Sequence, residues 1–208
     1  MEQAVKSPTQ KRFFATIKEY LFWEDRAEAK HEYHNGEVIA MAGGKINHNR
    51  ICRNLVSGLH TRLRGKSCEA FNSENKVWIA DRNRFYYPDA FVICGEIQFY
   101  EDRQDIVENP ILIFEVLSES TELKDRGEKF RQYMSLPSFR EYVLVNPEAV
   151  LVEVFFKKSA DEWRYSIYQS LSDVVHLQSI DIQLSVAEIY EQVDFPPETS
   201  VAEEKDKI

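Results

Sequence analysis

The stretch Ile111-Leu112-Ile113-Phe114-Glu115-Val116-Leu117 places the strongest constraint on how this chain folds. It lacks the apolar-polar alternation of a half-exposed strand, so it reads as a central strand covered on both faces. With 208 residues, 43% of them apolar, the chain can build the core that such covering requires. Glu115 sits inside this run. An unpaired buried carboxylate costs several kcal/mol or gives up its charge. Glu115 therefore needs a partner: a metal ion, a Lys or Arg, or a catalytic proton.

The elements around that strand follow from local pattern. Thr16-Ile17-Lys18-Glu19 is a capping box that predicts a helix to about Ala29. Asn35-Gly36 predicts a two-residue turn joining strands His31–His34 and Glu37–Met41. Ile51, Leu55, Leu59 and Leu63 recur every fourth residue, the apolar face of a helix over 46–65. Residues 68–72 and 76–80 read as one bent strand or a close pair, and 85–94 as a further strand. The acidic segment 95–110 reads as an irregular loop. A helix is expected from about Glu122 to Met134, stopped by Leu136-Pro137. Strands at 140–145, 150–157 and 163–168 and a short helix near 186–192 complete the pattern. From the four-residue-spaced helix onward the order is helix, strand, strand, strand, helix, strand, which predicts an α/β class domain with a mixed sheet and helices on its faces. The expected organisation is a loose N-terminus (1–15), one folded domain (16–195) and a disordered acidic tail (196–208). Trp23, Trp78 and Trp163 are expected in the core.

Charge divides the chain. The net charge is -9, yet residues 1–90 hold 15 basic against 11 acidic side chains and residues 91–208 hold 11 against 24. From Lys45 to Cys68 there are six basic residues and no acid. A phosphate-binding face on the N-terminal half, with Arg50, Arg53 and Arg64 as its contacts, remains open beside a plain solvated helix face. No apolar run is long enough to span a membrane, and the first residues carry no signal-peptide pattern. Three cysteines without a C-x-x-C pair fit a reducing cytoplasm and argue against a disulfide framework and a structural zinc. His31, His34, His60 and His176 lack metal-site spacing to another candidate ligand.

Asp89, Asp125 and Lys129 are further charged candidates beside Glu115. Asp89 interrupts the apolar run of 86–93, and two carboxylates on neighbouring strands are what a hard cation such as Mg²⁺ requires. The plainer alternative is that Asp89 caps a turn after Pro88 and Glu115 forms a buried ion pair. Asp125, Lys129 and Tyr133 fall on one helix face at i, i+4 and i+8. A lysine there could offset Glu115 or polarise a phosphate; alone, it is an ordinary surface helix pair.

Taken together, Pro88-Asp89, Glu115-Val116-Leu117-Ser118, Ser120-Thr121, Asp125-Arg126-Gly127-x-Lys129, Tyr133 and Glu141-Tyr142 resemble the Uma family of restriction-endonuclease-like proteins, within the PD-(D/E)XK nuclease superfamily. His31-Glu32-Tyr33, Asn35-Gly36-Glu37, Met41-Ala42-Gly43-Gly44 and Asn47-His48 extend the resemblance to about residues 16–195. It implies an α-β-β-β-α-β core with an extra N-terminal helix and hairpin and extra C-terminal strands. It also implies Mg²⁺- or Mn²⁺-dependent hydrolysis of nucleic acid, DNA in the first place, with Asp89 and Glu115 as catalytic metal ligands. Where the superfamily carries a lysine two residues after the second acid, this chain has Leu117. The resemblance assigns that role to Lys129. An accessory acid would have to come from Glu32 or Glu37, and His48 occupies a position often held by His in the family. Asp125 and Tyr133 are further accessory candidates. A homodimer is expected on the superfamily's logic that two strands need two sites. The competing function is a catalytically inactive nuclease fold acting as a nucleic-acid-binding or protein-interaction module.

Overall fold

The computed structural model describes residues 13–195; the expectations for the first residues and for the tail after 195 lie outside that range. In chain order the elements are β1 (Phe13–Phe14), α1 (Ile17–Glu24), β2 (His31–His34), β3 (Glu37–Ala40), α2 (Ile46–Leu63), β4 (Cys68–Asn72), β5 (Lys76–Ile79), β6 (Arg84–Tyr86), β7 (Ala90–Cys94), β8 (Phe99–Tyr100), β9 (Arg103–Val107), β10 (Leu112–Val116), α3 (Phe130–Tyr133), β11 (Glu141–Val145), β12 (Val152–Lys157), β13 (Trp163–Tyr168), β14 (Val174–Leu177), β15 (Ile182–Ser185) and α4 (Val186–Ile189). A π-wound segment, Lys124–Lys129, leads directly into α3.

The central sheet runs β13-β12-β11-β10-β7-β4. β10 lies parallel to β11 and antiparallel to β7, and the remaining neighbours are antiparallel. Both faces of β10 are covered, which accounts for the missing polar alternation. Leu112, Phe114 and Val116 pack with Ile51, Leu55, Leu59 and Leu63 of α2. Ile113 and Leu117 point the other way and pack with Tyr133, Leu136 and Phe139. The order α2-β4-β7-β10-α3-β11 is the expected helix-strand-strand-strand-helix-strand core, with β5 and β6 inserted between β4 and β7. The whole is a mixed α+β fold.

The inserted strands belong to a second sheet, β1-β3-β2-β6-β5-β9-β8. Its β2–β3 hairpin turns at Asn35 (φ 51°) and Gly36 (φ 100°), both left-handed as the expected turn demands. The Thr16 box also forms: the Glu19 N–H donates to Thr16 Oγ1 and the Thr16 N–H to Glu19 Oε2.

Several boundaries differ from the sequence expectations. The segments 68–72 and 76–79 are neither one strand nor a close pair but strands of different sheets. The expected strand over 85–94 is broken at Tyr87-Pro88-Asp89, because proline lacks the N–H a ladder needs and restricts the residue before it. The segment 95–110 is not irregular: β8 and β9 form an edge hairpin there, whose polar composition hides it. The first helix stops at Glu24, and β14–β15 form a hairpin that the pattern did not reveal. Trp23 is 37% exposed rather than a core residue. Cys68 and Cys94 stand directly opposite across β4–β7 and are joined in a disulfide, leaving Cys52 as the free thiol; the thiol-only expectation is corrected. Cross-strand register, invisible in residue spacing, sets that pairing.

Candidate active site

Glu115 follows from the alternation of β10. Ile113 and Leu117 share its face and pack towards α3, so the carboxylate also points there, 2% exposed. Two side chains from the facing segment meet its Oε1: Lys129 Nζ donates at 3.1 Å and Tyr133 OH at 2.9 Å. The Lys129 amine is itself buried and stands 3.2 Å from Asp125 Oδ1 and 3.3 Å from Glu32 Oε1. Glu32 comes from β2 of the second sheet. Its other oxygen accepts from Lys124 Nζ at 2.6 Å and lies 3.1 Å from His34 Nε2. The Tyr86 ring lies under both lysines, 5.6 Å from Lys129 Nζ and 5.8 Å from Lys124 Nζ.

Charge balance sets the protonation states. Burial would lower the Lys129 pKa, but Glu115, Glu32 and Asp125 outweigh it and hold the amine well above its ordinary value. Burial would raise Glu32, yet Lys129, the His34 hydrogen bond and Lys124 drive it far below the usual carboxylate range. Glu115 goes the other way. Burial pushes it up and the charges of Asp125, Asp89 and Glu32 add to this, so the attraction of Lys129 does not bring it back. Asp125 is also raised, mainly by burial. One lysine cannot satisfy three carboxylates equally.

Asp89 precedes β7 by one residue. The register pairs Phe114 with Ala90, so Asp89 lies one residue beyond the last pair, beside the end of β10. Asp89 Oδ2 accepts the Val116 N–H at 2.8 Å, which pins the carboxylate at the end of β10. The same oxygen lies 3.3 Å from His48 Nε2, and His48 Nδ1 lies 3.5 Å from Cys52 Sγ one turn along α2. Burial would lower the His48 pKa, but the hydrogen bond and charge of Asp89 raise it.

The donor set suits a cation. Glu32, Glu115 and Asp125 gather about two lysines and Asp89 adds its charge from beside them, so carboxylates outnumber the amines, and the crowding itself keeps Glu115 protonated more readily than usual. Asp89 and Glu115, near enough for their charges to interact, would be the oxygen ligands of a hard divalent ion. Among the described residues, the group of three potential ligands with atoms mutually within 4.8 Å is His48, Cys52 and Asp89; it does not include Glu115.

Of the residues singled out in the sequence, Asp89, Glu115, Asp125, Lys129, Tyr133, Glu32 and His48 converge here. Glu37 does not join them: it stays half-buried on β3 opposite His34. The basic helix is also rearranged. Arg50 Nη1 donates to Asp194 Oδ2 at 2.6 Å and Arg53 Nη2 to Gln192 Oε1 at 3.2 Å, so both are turned to the C-terminal segment, while Arg64 is exposed. Lys124, His34, Cys52 and Tyr86 were not singled out for the site. Only Cys52 carried a local signal, its four-residue spacing from His48.

The model of the family Uma2, "Putative restriction endonuclease", matches residues 17–187. The chain belongs to this family. Two uncharacterised proteins of Synechocystis sp. (strain ATCC 27184 / PCC 6803 / Kazusa) are similar to it along most of their lengths. One, slr1290, is 37% identical over 179 residues, covering 85% of this chain and 92% of that protein. The other, sll1609, is 38% identical over 148 residues, covering 71% and 84%. The fold is also similar to the crystal structure of a "putative nuclease belonging to DUF820" from Anabaena variabilis ATCC 29413. The TM-score is 0.65 at 17% identity, over 79% of this chain and 91% of that one. Uma2 membership thus joins this chain to restriction-endonuclease-like proteins, and the site lies where α2, α3 and both sheets meet. Among the described residues no helix is long and apolar enough to cross a membrane.

Proposed function

We propose that this Uma2 protein is a metal-dependent endonuclease that hydrolyses phosphodiester bonds of nucleic acid, DNA in the first place, with Mg²⁺ or Mn²⁺. The observation that carries the reading is the buried Glu115 on the central strand, 3.1 Å from the Lys129 amine, with Asp89 held at the end of the same strand by the Val116 N–H. Asp89 and Glu115 would hold the ion. When bound, such an ion activates water and neutralises phosphate charge. The chain's own residues do the rest. The Val116 N–H orients Asp89, and the Tyr133 hydroxyl orients Glu115. Lys129, kept protonated by its three carboxylates, supplies the positive charge that stabilises the developing oxyanion. Glu32 and Asp125 hold Lys129 in place.

Leu117 favours a second reading, a nuclease fold without catalysis. It is buried among apolar side chains and puts none of the expected positive charge on the strand. In that reading Lys129 only neutralises the acids.

Incubating the protein with plasmid and single-stranded DNA, and with RNA, in Mg²⁺, Mn²⁺ or EDTA separates the two. Metal-dependent cleavage by the wild type and none by Glu115→Gln supports the enzyme. Absence of cleavage, with Mn²⁺ binding also absent by calorimetry, supports the non-catalytic fold.

A further inference from the structure

Behind Asp89, on the side away from Lys129, stand two donors that the nuclease reading does not use. His48 and Cys52 lie one helical turn apart on α2, with Nδ1 and Sγ at 3.5 Å, and the imidazole's other nitrogen meets Asp89. One ligand atom from each of the three residues lies within 4.8 Å of the others. Ligand atoms on a tetrahedral zinc-class ion stand about 3.4 Å apart, given bonds of about 2.0–2.3 Å. Closing these three on one ion takes an inward shift of their ligand atoms from spacings of up to 4.8 Å to about 3.4 Å.

Three features mark the cluster as built rather than incidental. Two ligands at i and i+4 on one helix face give a spacing that zinc-binding helices use. The Asp89 carboxylate is fixed by the Val116 N–H, a backbone donor of the kind that orients metal-binding carboxylates. Gly44 leaves room for the His48 ring in this position: a Cβ there would stand 2.7 Å from Nδ1, so a side chain at 44 would displace the imidazole. The neighbouring acids Glu115 and Asp125 add negative potential. Burial and the charges of Asp89 and Glu115 push the Cys52 thiol far up, so without an ion it stays protonated.

We propose that His48, Cys52 and Asp89 form a binding site for a thiophilic divalent transition-metal ion of the zinc and cobalt class. Three protein ligands with a fourth position open is the arrangement of catalytic rather than structural zinc sites. Thiolate and imidazole select against Mg²⁺, which takes oxygen ligands. The proposal rests on the nuclease reading only through the shared Asp89 carboxylate, and its test does not require cleavage.

The test is titration of metal-free protein, its disulfide intact, with Co²⁺. Expected are visible bands of tetrahedral cobalt and a near-ultraviolet thiolate-to-cobalt charge-transfer band. Zn²⁺ should abolish both at stoichiometric amounts, whereas a large excess of Mg²⁺ should not. Cys52→Ser should remove the charge-transfer band, and His48→Gln should weaken binding at least about tenfold. Glu115→Gln should leave the band in place. As a check independent of any variant's folding, Zn²⁺ should slow alkylation of Cys52 in the wild type. Co²⁺ binding without a thiolate band, with alkylation unaffected by Zn²⁺, would overturn the proposal and leave the all-oxygen Mg²⁺ or Mn²⁺ reading standing. Absence of Co²⁺ binding, with Mn²⁺ still bound by calorimetry, would overturn it as well.

Discussion

Lys129 Nζ stands 3.1 Å from Glu115 Oε1, joining two buried groups that lie 14 residues apart in the chain. Leu117 shares Glu115's strand face but is apolar, so the positive charge beside the acid comes from the helix side instead. The same amine contacts Glu32 and Asp125, which makes it the centre of the polar cluster.

Lys129→Met leaves three buried carboxylates without that cation. It should cost about 3–5 kcal/mol, the usual consequence of breaking a buried charge pair from one side. Urea unfolding measures the loss. Metal-dependent cleavage should fall to background in the fraction that remains folded, while Mn²⁺ binding persists. Adding Leu117→Lys should recover part of the rate. Full activity in Lys129→Ala would remove the lysine from the mechanism.

Asp89→Asn keeps an oxygen that can accept the Val116 N–H but lacks the charge that faces His48. Stability should change by no more than about 1 kcal/mol. Calorimetric heat for Mn²⁺ should vanish. Unaltered Mn²⁺ binding would show that Asp89 is not a ligand.

The arginines of α2 separate by their partners. Arg50 and Arg53 bond to Asp194 and Gln192, whereas Arg64 is exposed. Replacing all three with Ala should reduce the slope of log affinity against log salt by about 0.9, one phosphate contact on duplex DNA. A drop near three times that size would mean that nucleic acid displaces the C-terminal segment from Arg50 and Arg53. An unchanged slope would return the whole helix face to solvent.

Acid should loosen the join between the two sheets through Glu32. Its folded-state pKa lies below the ordinary 4.5 because Lys129, His34 and Lys124 outweigh its burial. A depressed carboxylate contributes stability that is fully present above its unfolded value and is lost as pH falls below it. Glu32→Gln should therefore flatten the decline in stability below pH 4.5, measured by urea unfolding at a series of pH values. Glu115, with its pKa raised, carries the opposite sign: its contribution is present in acid and fades as pH rises through its folded-state value. A Glu32→Gln acid limb as steep as the wild type's would place the charge of Glu32 elsewhere.

Local physics made much of this protein legible in its sequence. Covering both faces of a strand erases polar alternation, so 111–117 announced β10 and the exceptional burial of Glu115. Four-residue apolar spacing announced α2. Asn35-Gly36 and the Thr16 box marked a turn and a helix start whose geometry depends on adjacent residues alone. Asp125, Lys129 and Tyr133 shared a face because helical winding repeats locally. Tertiary structure decided the rest. Glu32 meets Lys124 across 92 residues and Arg50 meets Asp194 across 144. The Cys68–Cys94 bond depends on strand register, and the reach of His48 and Cys52 to Asp89 depends on how α2 crosses the sheet. Such contacts are set by which strands pair and how layers stack, a balance of burial summed over the whole core. No window of neighbouring residues contains that sum.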